Sequence, residues 1–218
     1  LNTDMRMERV IAMLTAVLIA GVTFAQSRPT PVTEYRLISP PQLVAGTQIE
    51  VVEFFNYACS HCYDFEPLLK SWLAKKPSDI EFRYVPAVFN QDMLPLAKLH
   101  YALEEMGLLP TLHEKVYAAI HDKGTNLIDR TAILKWAGEQ GVESKKFEAV
   151  FDSFSVGNKA QRAAQMTRAY RVPGTPYVAV NGKYLTGPSM TLKAGGGVDA
   201  NRFVQVLNGL IDMARRRS

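Results

Sequence analysis

The sequence predicts an α/β protein with an all-helical insert, and three observations lead to that fold class. An apolar, β-rich run leads directly into a stretch with helical spacing, a block of helices without strands follows, and the chain closes with a hairpin and a helix. The length of 218 residues suits one domain that carries a sizeable insert. With 47% hydrophobic and 21% charged residues, the composition is that of an ordinary globular protein and excludes collagen-like or disordered chains.

The first 25 residues predict a signal peptide. Arg6 and Arg9 precede an apolar run over residues 10–24, with small residues near its end where a signal peptidase would cleave. As a helix this run spans only about 22 Å, short of the roughly 30 Å hydrocarbon core of a bilayer, and an uncleaved membrane anchor is the alternative. We therefore expect a mature chain that starts near Gln26, outside the cytoplasm. The segment contains two bases and two acids, so its removal leaves the net charge at +4, and we expect no nucleic-acid binding.

The mature part begins with strand, helix and strand. After a flexible lead-in, residues 34–38 predict a short edge strand that a proline pair ends. Residues 49–55 are apolar with little alternation, as expected of a central parallel strand covered on both faces. Residues 59–75 have apolar side chains at helical spacing, and residues 80–85 alternate as a second parallel strand.

The middle of the chain predicts helix after helix. Glycines separate four segments in which apolar residues recur every three or four positions. These segments are 94–106, 109–120, 131–139 and 144–154. A fifth helix is predicted over residues 158–170.

The end of the chain predicts a hairpin and a last helix. Residues 177–185 contain Asn181-Gly182, a pair that suits a type I′ turn between two strands. A glycine-rich loop then precedes an amphipathic helix over residues 200–215. We divide the chain into a signal peptide, the first part of the sheet domain, a helical insert and the second part of the sheet domain, with bounds 1–25, 26–89, 90–155 and 156–218.

The number and spacing of the cysteines favour a reactive cysteine pair over a disulfide with a purely structural role. The mature chain has only Cys59 and Cys62, and a bridge between them would close a ring of four residues, worth about 2 kcal/mol against ~3 for a fifteen-residue loop. A zinc site would need further ligands from His100, His113 and His121, whose spacings fit no common zinc pattern. Covalent haem attachment would need histidine directly after the second cysteine, where a tyrosine stands. A structural disulfide remains as the plain alternative.

Thiol–disulfide exchange needs an accessible thiolate and a second thiol that can release a mixed disulfide. Cys59 lies at a predicted helix N-terminus, where unpaired backbone N–H groups and the helix dipole stabilise an anion, and His61 adds a donor or a positive charge. Both effects lower the pKa of Cys59 and stabilise the reduced form, which makes the couple an oxidant. Cys62, one turn further along, is expected to be the resolving thiol.

At these residues the chain resembles the DsbA branch of thioredoxin-fold oxidoreductases. Residues 54–65, Phe-Phe-Asn-Tyr-Ala-Cys-Ser-His-Cys-Tyr-Asp-Phe, carry the resemblance together with Thr175-Pro176 before a strand that ends Val-Asn-Gly-Lys-Tyr. It covers nearly all of residues 34–215 and implies a thioredoxin fold with an inserted all-helical domain and a strongly oxidising couple. The family usually has proline where this chain has Ser60. That motif position tunes the potential, while the reaction class is unchanged.

The resemblance also implies roles for three other residues. Glu53, in the apolar strand, matches a glutamate beneath the active site that helps Cys62 gain and lose its proton. A buried carboxylate needs such a task or a partner, and Arg83 on the neighbouring strand is the natural partner for an ion pair. Family members keep the proline that matches Pro176 cis against the disulfide, which leaves the backbone of Thr175 free to pair with an extended substrate.

Other candidate residues have plainer interpretations. The three histidines on the predicted helices are expected to be surface or helix-packing residues. Three aromatic residues near the motif either line a peptide groove or belong to the core: Phe55, Tyr57 and Tyr63.

We therefore predict a soluble periplasmic thiol:disulfide oxidoreductase that donates its disulfide to newly exported, reduced proteins. A substrate thiolate attacks Cys59, and a second substrate thiol resolves the mixed disulfide. The resemblance implies reoxidation by a quinone-linked inner-membrane partner of the DsbB type. We expect no metal or other cofactor, and a monomeric enzyme.

Three alternatives stay open at this point. An isomerase or reductase of the same fold is the first, although DsbC-like proteins carry a dimerisation domain for which residues 26–33 are far too short. A peptide-binding chaperone with incidental cysteines is the second. A glutathione-using transferase, the third, would lack a signal peptide and usually the second cysteine.

Overall fold

The computed structural model describes residues 28–31 and 33–216, so the predicted signal peptide lies outside the described residues. In these ranges five strands form one sheet: β1 (Arg36–Leu37), β2 (Ile49–Phe55), β3 (Ile80–Pro86), β4 (Tyr177–Val180) and β5 (Tyr184–Thr186). Their order across the sheet is β1-β5-β4-β2-β3. Strands β2 and β3 pair parallel, and the other pairs are antiparallel.

Within the described residues, seven α-helices surround the sheet: α1 (Ser60–Leu73), α2 (Leu94–Glu105), α3 (Leu109–His121), α4 (Arg130–Glu139), α5 (Ser144–Phe151), α6 (Phe154–Ala169) and α7 (Ala200–Arg215). Short 3₁₀ turns over residues 91–93 and 188–190 precede α2 and follow β5. None of the helices in the described part of the chain combines the length and the apolar character needed to cross a membrane.

Strand β2 is the buried strand that the sequence predicted. All seven of its residues are buried, because its two faces belong to two different apolar clusters. Val51 packs in a cluster with Phe65 and α7, whereas Val52 and Phe54 pack in a larger cluster with the insert. The prediction of a parallel partner is confirmed for β3, while β4, on the other side of β2, runs antiparallel to it.

The predicted helices are observed, with one error at a junction. The helix predicted over residues 144–154 ends at Phe151, and the helix predicted from residue 158 already begins at Phe154. The Ser153 hydroxyl accepts a hydrogen bond from the Val156 N–H and so caps a new helix. The apolar spacing extended the predicted helix too far, because it counted Phe154 as a core residue, and Phe154 is 84% exposed.

The insert and the sheet share one apolar core. The larger buried cluster runs from β2 and β3 into all the helices between residues 94 and 169. The rings of Phe54 and Tyr170 lie 5.1 Å apart and join the strand to the end of the helical block. The domain bounds drawn from the sequence stay a prediction, since this core crosses them.

The hairpin has the predicted turn residues. Asn181 and Gly182 both have positive φ, +49° and +61°, as a type I′ turn requires. Val180 pairs with Tyr184, so the connection has three residues rather than two. The last helix has the predicted bounds.

Candidate active site

The first cysteine of the motif, Cys59, lies in the junction between β2 and α1. After Phe55 the chain turns through Asn56, whose side-chain oxygen accepts from the Ala58 N–H at 2.8 Å and whose carbonyl accepts from the Cys59 N–H at 3.0 Å. Cys59 is the N-cap residue of α1, in extended conformation. The Cys59 sulfur therefore stands at the positive end of the helix, available for reaction.

The two cysteines are free thiols in very different surroundings. Cys59 is partly exposed, whereas Cys62 is fully buried. The Cys59 sulfur lies 3.4 Å from the carbonyl oxygen of Thr175, and the Asn56 N–H points at the Cys62 sulfur from 3.5 Å. A substrate can reach the first sulfur from solvent, and the second one is shielded.

These surroundings separate the acidities of the two thiols. The pKa of Cys59 falls to about 5, chiefly because the Cys62 thiol donates a hydrogen bond to it, helped by Thr175 and by the backbone N–H groups of Cys62 and His61, against partial burial. Burial raises the pKa of Cys62 far above its ordinary value, and its hydrogen bond to Cys59 and the nearby Glu53 raise it further. At neutral pH the reduced site therefore holds one thiolate and one protonated thiol.

The other two motif residues are on the surface. Ser60 is exposed as the first residue of α1, and His61 is exposed beside it. The contribution of His61 that the structure shows comes from its backbone N–H. The part predicted for its imidazole stays a prediction.

A cis peptide bond and an apolar groove flank Cys59. The Thr175–Pro176 bond is cis, as the resemblance implies, and Pro176 is buried. Next to it lies a groove of about 430 Å³, lined mostly by apolar side chains. Leu192 and Val198, at the two ends of the glycine-rich loop, line it and are 57% and 41% exposed. Sequence reasoning missed these two residues, whose only signal is an apolar pair around a glycine run.

Glu53 is completely buried and lacks the predicted ion pair. Neither of its carboxyl oxygens has a hydrogen-bond partner among the described residues. Arg83 binds Glu50 instead, at 2.6 Å. The expectation of a pair between Arg83 and Glu53 was wrong, because Arg83 lies opposite Val52 in the sheet and side chains alternate between its two faces.

The environment of Glu53 favours the protonated acid. Burial raises its pKa well above the ordinary value, and the neighbouring carboxylate of Glu66 and the Cys59 thiolate raise it further. A protonated carboxylic acid beneath Cys62 can supply a proton when that sulfur leaves a disulfide.

Two of the three histidines are buried rather than superficial. His100 and His113 are 0% and 7% exposed, and the Nδ1 atoms of both face the Tyr57 hydroxyl, at 3.3 and 2.7 Å. His121 is partly buried, and its Nε2 lies 2.8 Å from the backbone carbonyl of Tyr57. Helix packing, the second half of the expectation of surface or helix-packing residues, describes His100 and His113, and the expectation did not include these polar contacts. A usable signal was the four-residue spacing of His113, Tyr117 and His121, which puts all three on one face of α3.

The aromatic residues near the motif divide as follows. Phe55 and Tyr57 belong to the core. Tyr63 stacks on His121 and donates to the carboxylate of Asp122 at 2.8 Å, which ties the start of α1 to the end of α3. In the described part of the chain, no group of three or more His, Cys, Asp or Glu residues is placed to hold a metal ion.

Comparison with known proteins gives a consistent result. Residues 50–193 match the model of the DSBA-like thioredoxin domain family. The thiol:disulfide interchange protein DsbA of Bordetella parapertussis is 38% identical over 217 residues, 99% of both chains. The DsbA of Burkholderia cepacia is 36% identical over 195 residues, 88% of this chain and 92% of that protein.

Solved structures show the same fold. The crystal structure of Pseudomonas aeruginosa DsbA superposes with a TM-score of 0.78 at 32% identity, covering 86% of this chain and 95% of the other. Oxidoreductase DsbA from Xylella fastidiosa gives a TM-score of 0.74 at 29% identity, over 84% of this chain and 96% of the other. The region that the family model matches contains both cysteines, Glu53 and the cis proline.

Proposed function

Because the chain belongs to the DSBA-like thioredoxin domain family, we propose that this thiol:disulfide oxidoreductase works in the periplasm as a disulfide donor to reduced, newly exported proteins. Cys59 and Cys62 carry the reaction. The observation that supports the direction of transfer is the low pKa of Cys59, about 5. A sulfur that is stable as a thiolate is a good leaving group, and its stability favours the reduced enzyme over the disulfide.

The first step is attack on the exposed sulfur. A substrate thiolate attacks Cys59 in the enzyme disulfide, the Cys59–Cys62 bond breaks, and Cys62 leaves with the electron pair of that bond. Cys62 then takes a proton, because its burial opposes a charged sulfur. Glu53 is the donor that we assign to this proton, since it is buried, protonated and close enough to act on the pKa of Cys62.

The second step releases the product. A second thiolate of the substrate attacks the substrate sulfur in the mixed disulfide, and Cys59 leaves as a thiolate that its helix and its hydrogen bonds stabilise. The substrate loses two electrons and gains a disulfide, and the enzyme disulfide becomes one thiolate and one thiol.

Substrate and partner binding use the surface around the cis proline. The backbone of Thr175 pairs with an extended substrate segment beside Pro176, and the apolar groove next to it takes side chains of an unfolded chain. A quinone-linked membrane oxidase of the DsbB type reoxidises the enzyme, which works as a monomer. His61 and Ser60 tune the potential from the exposed start of α1.

Equilibration of the mature protein against glutathione buffers tests this proposal. We expect a couple markedly more oxidising than thioredoxin, and rapid oxidation of a reduced unfolded protein by the disulfide form. Cys59→Ser is the matched control, because it keeps the helix start and removes the sulfur that the substrate thiolate attacks. A potential as reducing as thioredoxin's would favour the reductase alternative, and refolding assistance that Cys59→Ser leaves intact would favour the chaperone.

A further inference from the structure

The loop that leads into Cys59 is held along its whole length by hydrogen bonds. Residues 56–58 join β2 to the N-cap of α1. The Asn56 N–H points at the Cys62 sulfur from 3.5 Å, and the Asn56 carbonyl accepts from the Cys59 N–H at 3.0 Å. These two bonds lie within the redox site itself, whereas the next peptide group along the loop has side chains as its partners.

The peptide group between Tyr57 and Ala58 is bound at both of its ends. The Ala58 N–H donates to Asn56 Oδ1 at 2.8 Å, the local turn in which asparagine accepts from the residue two positions later. The Tyr57 carbonyl oxygen lies 2.8 Å from Nε2 of His121, the last residue of α3. Sixty-four positions separate these two residues, so this bond joins the helical insert to the loop before Cys59.

The direction of the bond from His121 follows from its acceptor. A carbonyl oxygen only accepts, so Nε2 carries the proton, and this holds for a neutral imidazole as well as for an imidazolium. Tyr57 is buried, and loss of this donor would therefore leave a backbone carbonyl without access to solvent. The imidazole is thus needed to satisfy this peptide group in its observed orientation.

The ring of His121 is itself fixed by α1. It stacks on the ring of Tyr63, with centroids 5.0 Å apart and planes 10° from parallel. The Tyr63 hydroxyl donates to the carboxylate of Asp122, the residue after His121. Since Tyr63 directly follows Cys62, the end of α3 contacts the chain on both sides of the Cys-Ser-His-Cys motif, the backbone before it and a ring after it.

We propose that His121 is a positioning residue for Cys59: together with Asn56 it fixes the orientation of the Tyr57–Ala58 peptide group, and thereby the place of the Cys59 sulfur at the N-terminus of α1. The inference rests on the proposed function in taking Cys59 as the sulfur that reacts. It adds that the helical insert contributes a side chain to the reactivity of the motif.

The place of Cys59 matters because the stability of its thiolate depends on short-range donors. The Cys62 thiol and the backbone N–H groups of Cys62 and His61 donate to it and lower its pKa. Hydrogen bonds weaken steeply as distance and angle depart from their optimum. A loop that is free to reorient before Cys59 would weaken these bonds, and the pKa of Cys59 would rise.

Titration of the Cys59 thiolate by its absorbance, in the reduced protein, tests the proposal. His121→Phe keeps an aromatic ring against Tyr63 but removes the N–H, so we expect the pKa of Cys59 to rise by about one, a tenfold gain in proton affinity. The couple should become less oxidising in glutathione buffers. His121→Gln is the matched control, because its amide can donate to the Tyr57 carbonyl without a ring, and it should leave the pKa of Cys59 close to wild type.

A pKa of Cys59 that is the same in His121→Phe and in the wild type would overturn the proposal. Equal rises in His121→Phe and His121→Gln would overturn it as well, since the stacked ring and not the donor would then be the cause. If His121→Phe does not fold, Asn56→Ala removes the other bond to the same peptide group, at a partly exposed position. It should raise the pKa of Cys59 in the same direction, and no rise there would be equally decisive.

Failure of the proposed function is distinguishable from failure of this inference. A wild-type potential as reducing as thioredoxin's would refute the disulfide donor and leave the comparison between the His121 variants valid. An oxidising wild-type protein whose potential and Cys59 titration do not respond to His121→Phe would refute the role of His121 alone.

Discussion

Two cysteines one helical turn apart have opposite acid–base character in this protein. Cys59 receives hydrogen bonds at the start of α1, and Cys62 is enclosed by the core. The largest contribution to the acidity of Cys59 is the hydrogen bond from Cys62, so the buried thiol does more than resolve the mixed disulfide. It also stabilises the reduced product through its proton.

This dependence predicts different outcomes for two substitutions of Cys62. Cys62→Ala removes the donor and should raise the pKa of Cys59 from about 5 by at least one, whereas Cys62→Ser keeps an O–H donor and should raise it less. The absorbance of the thiolate, or its alkylation rate against pH, measures both values. Equal shifts in the two variants would show that the hydrogen bond is not the cause.

Because the pKa of Glu53 is raised, its substitution should increase the free energy of unfolding by an amount that depends on pH. Its folded pKa lies above the unfolded value of 4.5, so the stability it contributes is fully present below about pH 4.5 and is lost as the pH rises through the folded pKa. Glu53→Gln removes that loss. Urea unfolding of the oxidised proteins should show little difference at pH 4 and a gain of about 1–3 kcal/mol for the variant at pH 8.

Glu50→Gln is the control for this effect. Glu50 also lies in β2 but has Arg83 as a partner at 2.6 Å, so its substitution should cost up to about 1 kcal/mol at pH 8. A Glu53→Gln difference that stays constant between pH 4 and pH 8 would contradict the assignment of a raised pKa.

At the scale of elements, the hairpin is fixed against the segment that follows β1. The Gln42 N–H donates to the carbonyl oxygen of Gly182 at 2.8 Å, and the Ile38 N–H donates to that of Lys183 at 2.9 Å. A Cβ atom at Gly182 would lie 2.2 Å from the backbone oxygen of Gln42. The glycine is therefore required for the turn and for this close approach of two backbones.

Gly182→Ala tests the close approach against a matched glycine. Gly107 has a similar φ, +69° against +61°, and a Cβ atom there would meet no other atom of the described residues within 4 Å, so Gly107→Ala should cost only the conformational strain of about 1 kcal/mol. Gly182→Ala should cost at least about 2 kcal/mol more, because backbone must move. The midpoints of denaturant unfolding measure the difference between the two variants, provided that the free energy of unfolding has the same dependence on denaturant concentration in both. Equal losses of stability would refute the steric argument.

At the scale of the whole molecule, the helical insert is not separated from the thioredoxin part. One apolar cluster crosses from the sheet into the insert, and the hydroxyl of Tyr57, two residues after β2, lies within hydrogen-bond distance of His100 in α2 and His113 in α3. The ring pair of Tyr63 and His121 adds a contact at the surface. Such shared burial favours one cooperative unit.

The two tryptophans can report on this cooperativity. Trp72 lies in α1 of the thioredoxin part and Trp136 in α4 of the insert, and both are buried. Fluorescence of the single-tryptophan variants Trp72→Phe and Trp136→Phe should give the same unfolding midpoint as circular dichroism of the same variant. An earlier midpoint for fluorescence of Trp136 alone would mean that the insert unfolds first.

Local sequence signals were sufficient for the reaction class and for most of the elements. The Cys-Ser-His-Cys motif between a buried strand and an amphipathic helix, and the Asn-Gly turn, are signals of this kind, because each is formed by residues that are close together along the chain. The helix break at Ser153 could not be predicted, because an apolar residue at the right spacing faces solvent there.

The electrostatics beneath the active site, by contrast, depend on contacts that form only in the folded chain. The partner of Arg83 depended on strand register, which a pattern of residues along one strand does not fix. The contacts of His100 and His113 with Tyr57 join residues more than forty positions apart, so no periodicity contained them. Charge states in a core depend on which groups meet in three dimensions, because burial and neighbouring charges act through space rather than along the chain.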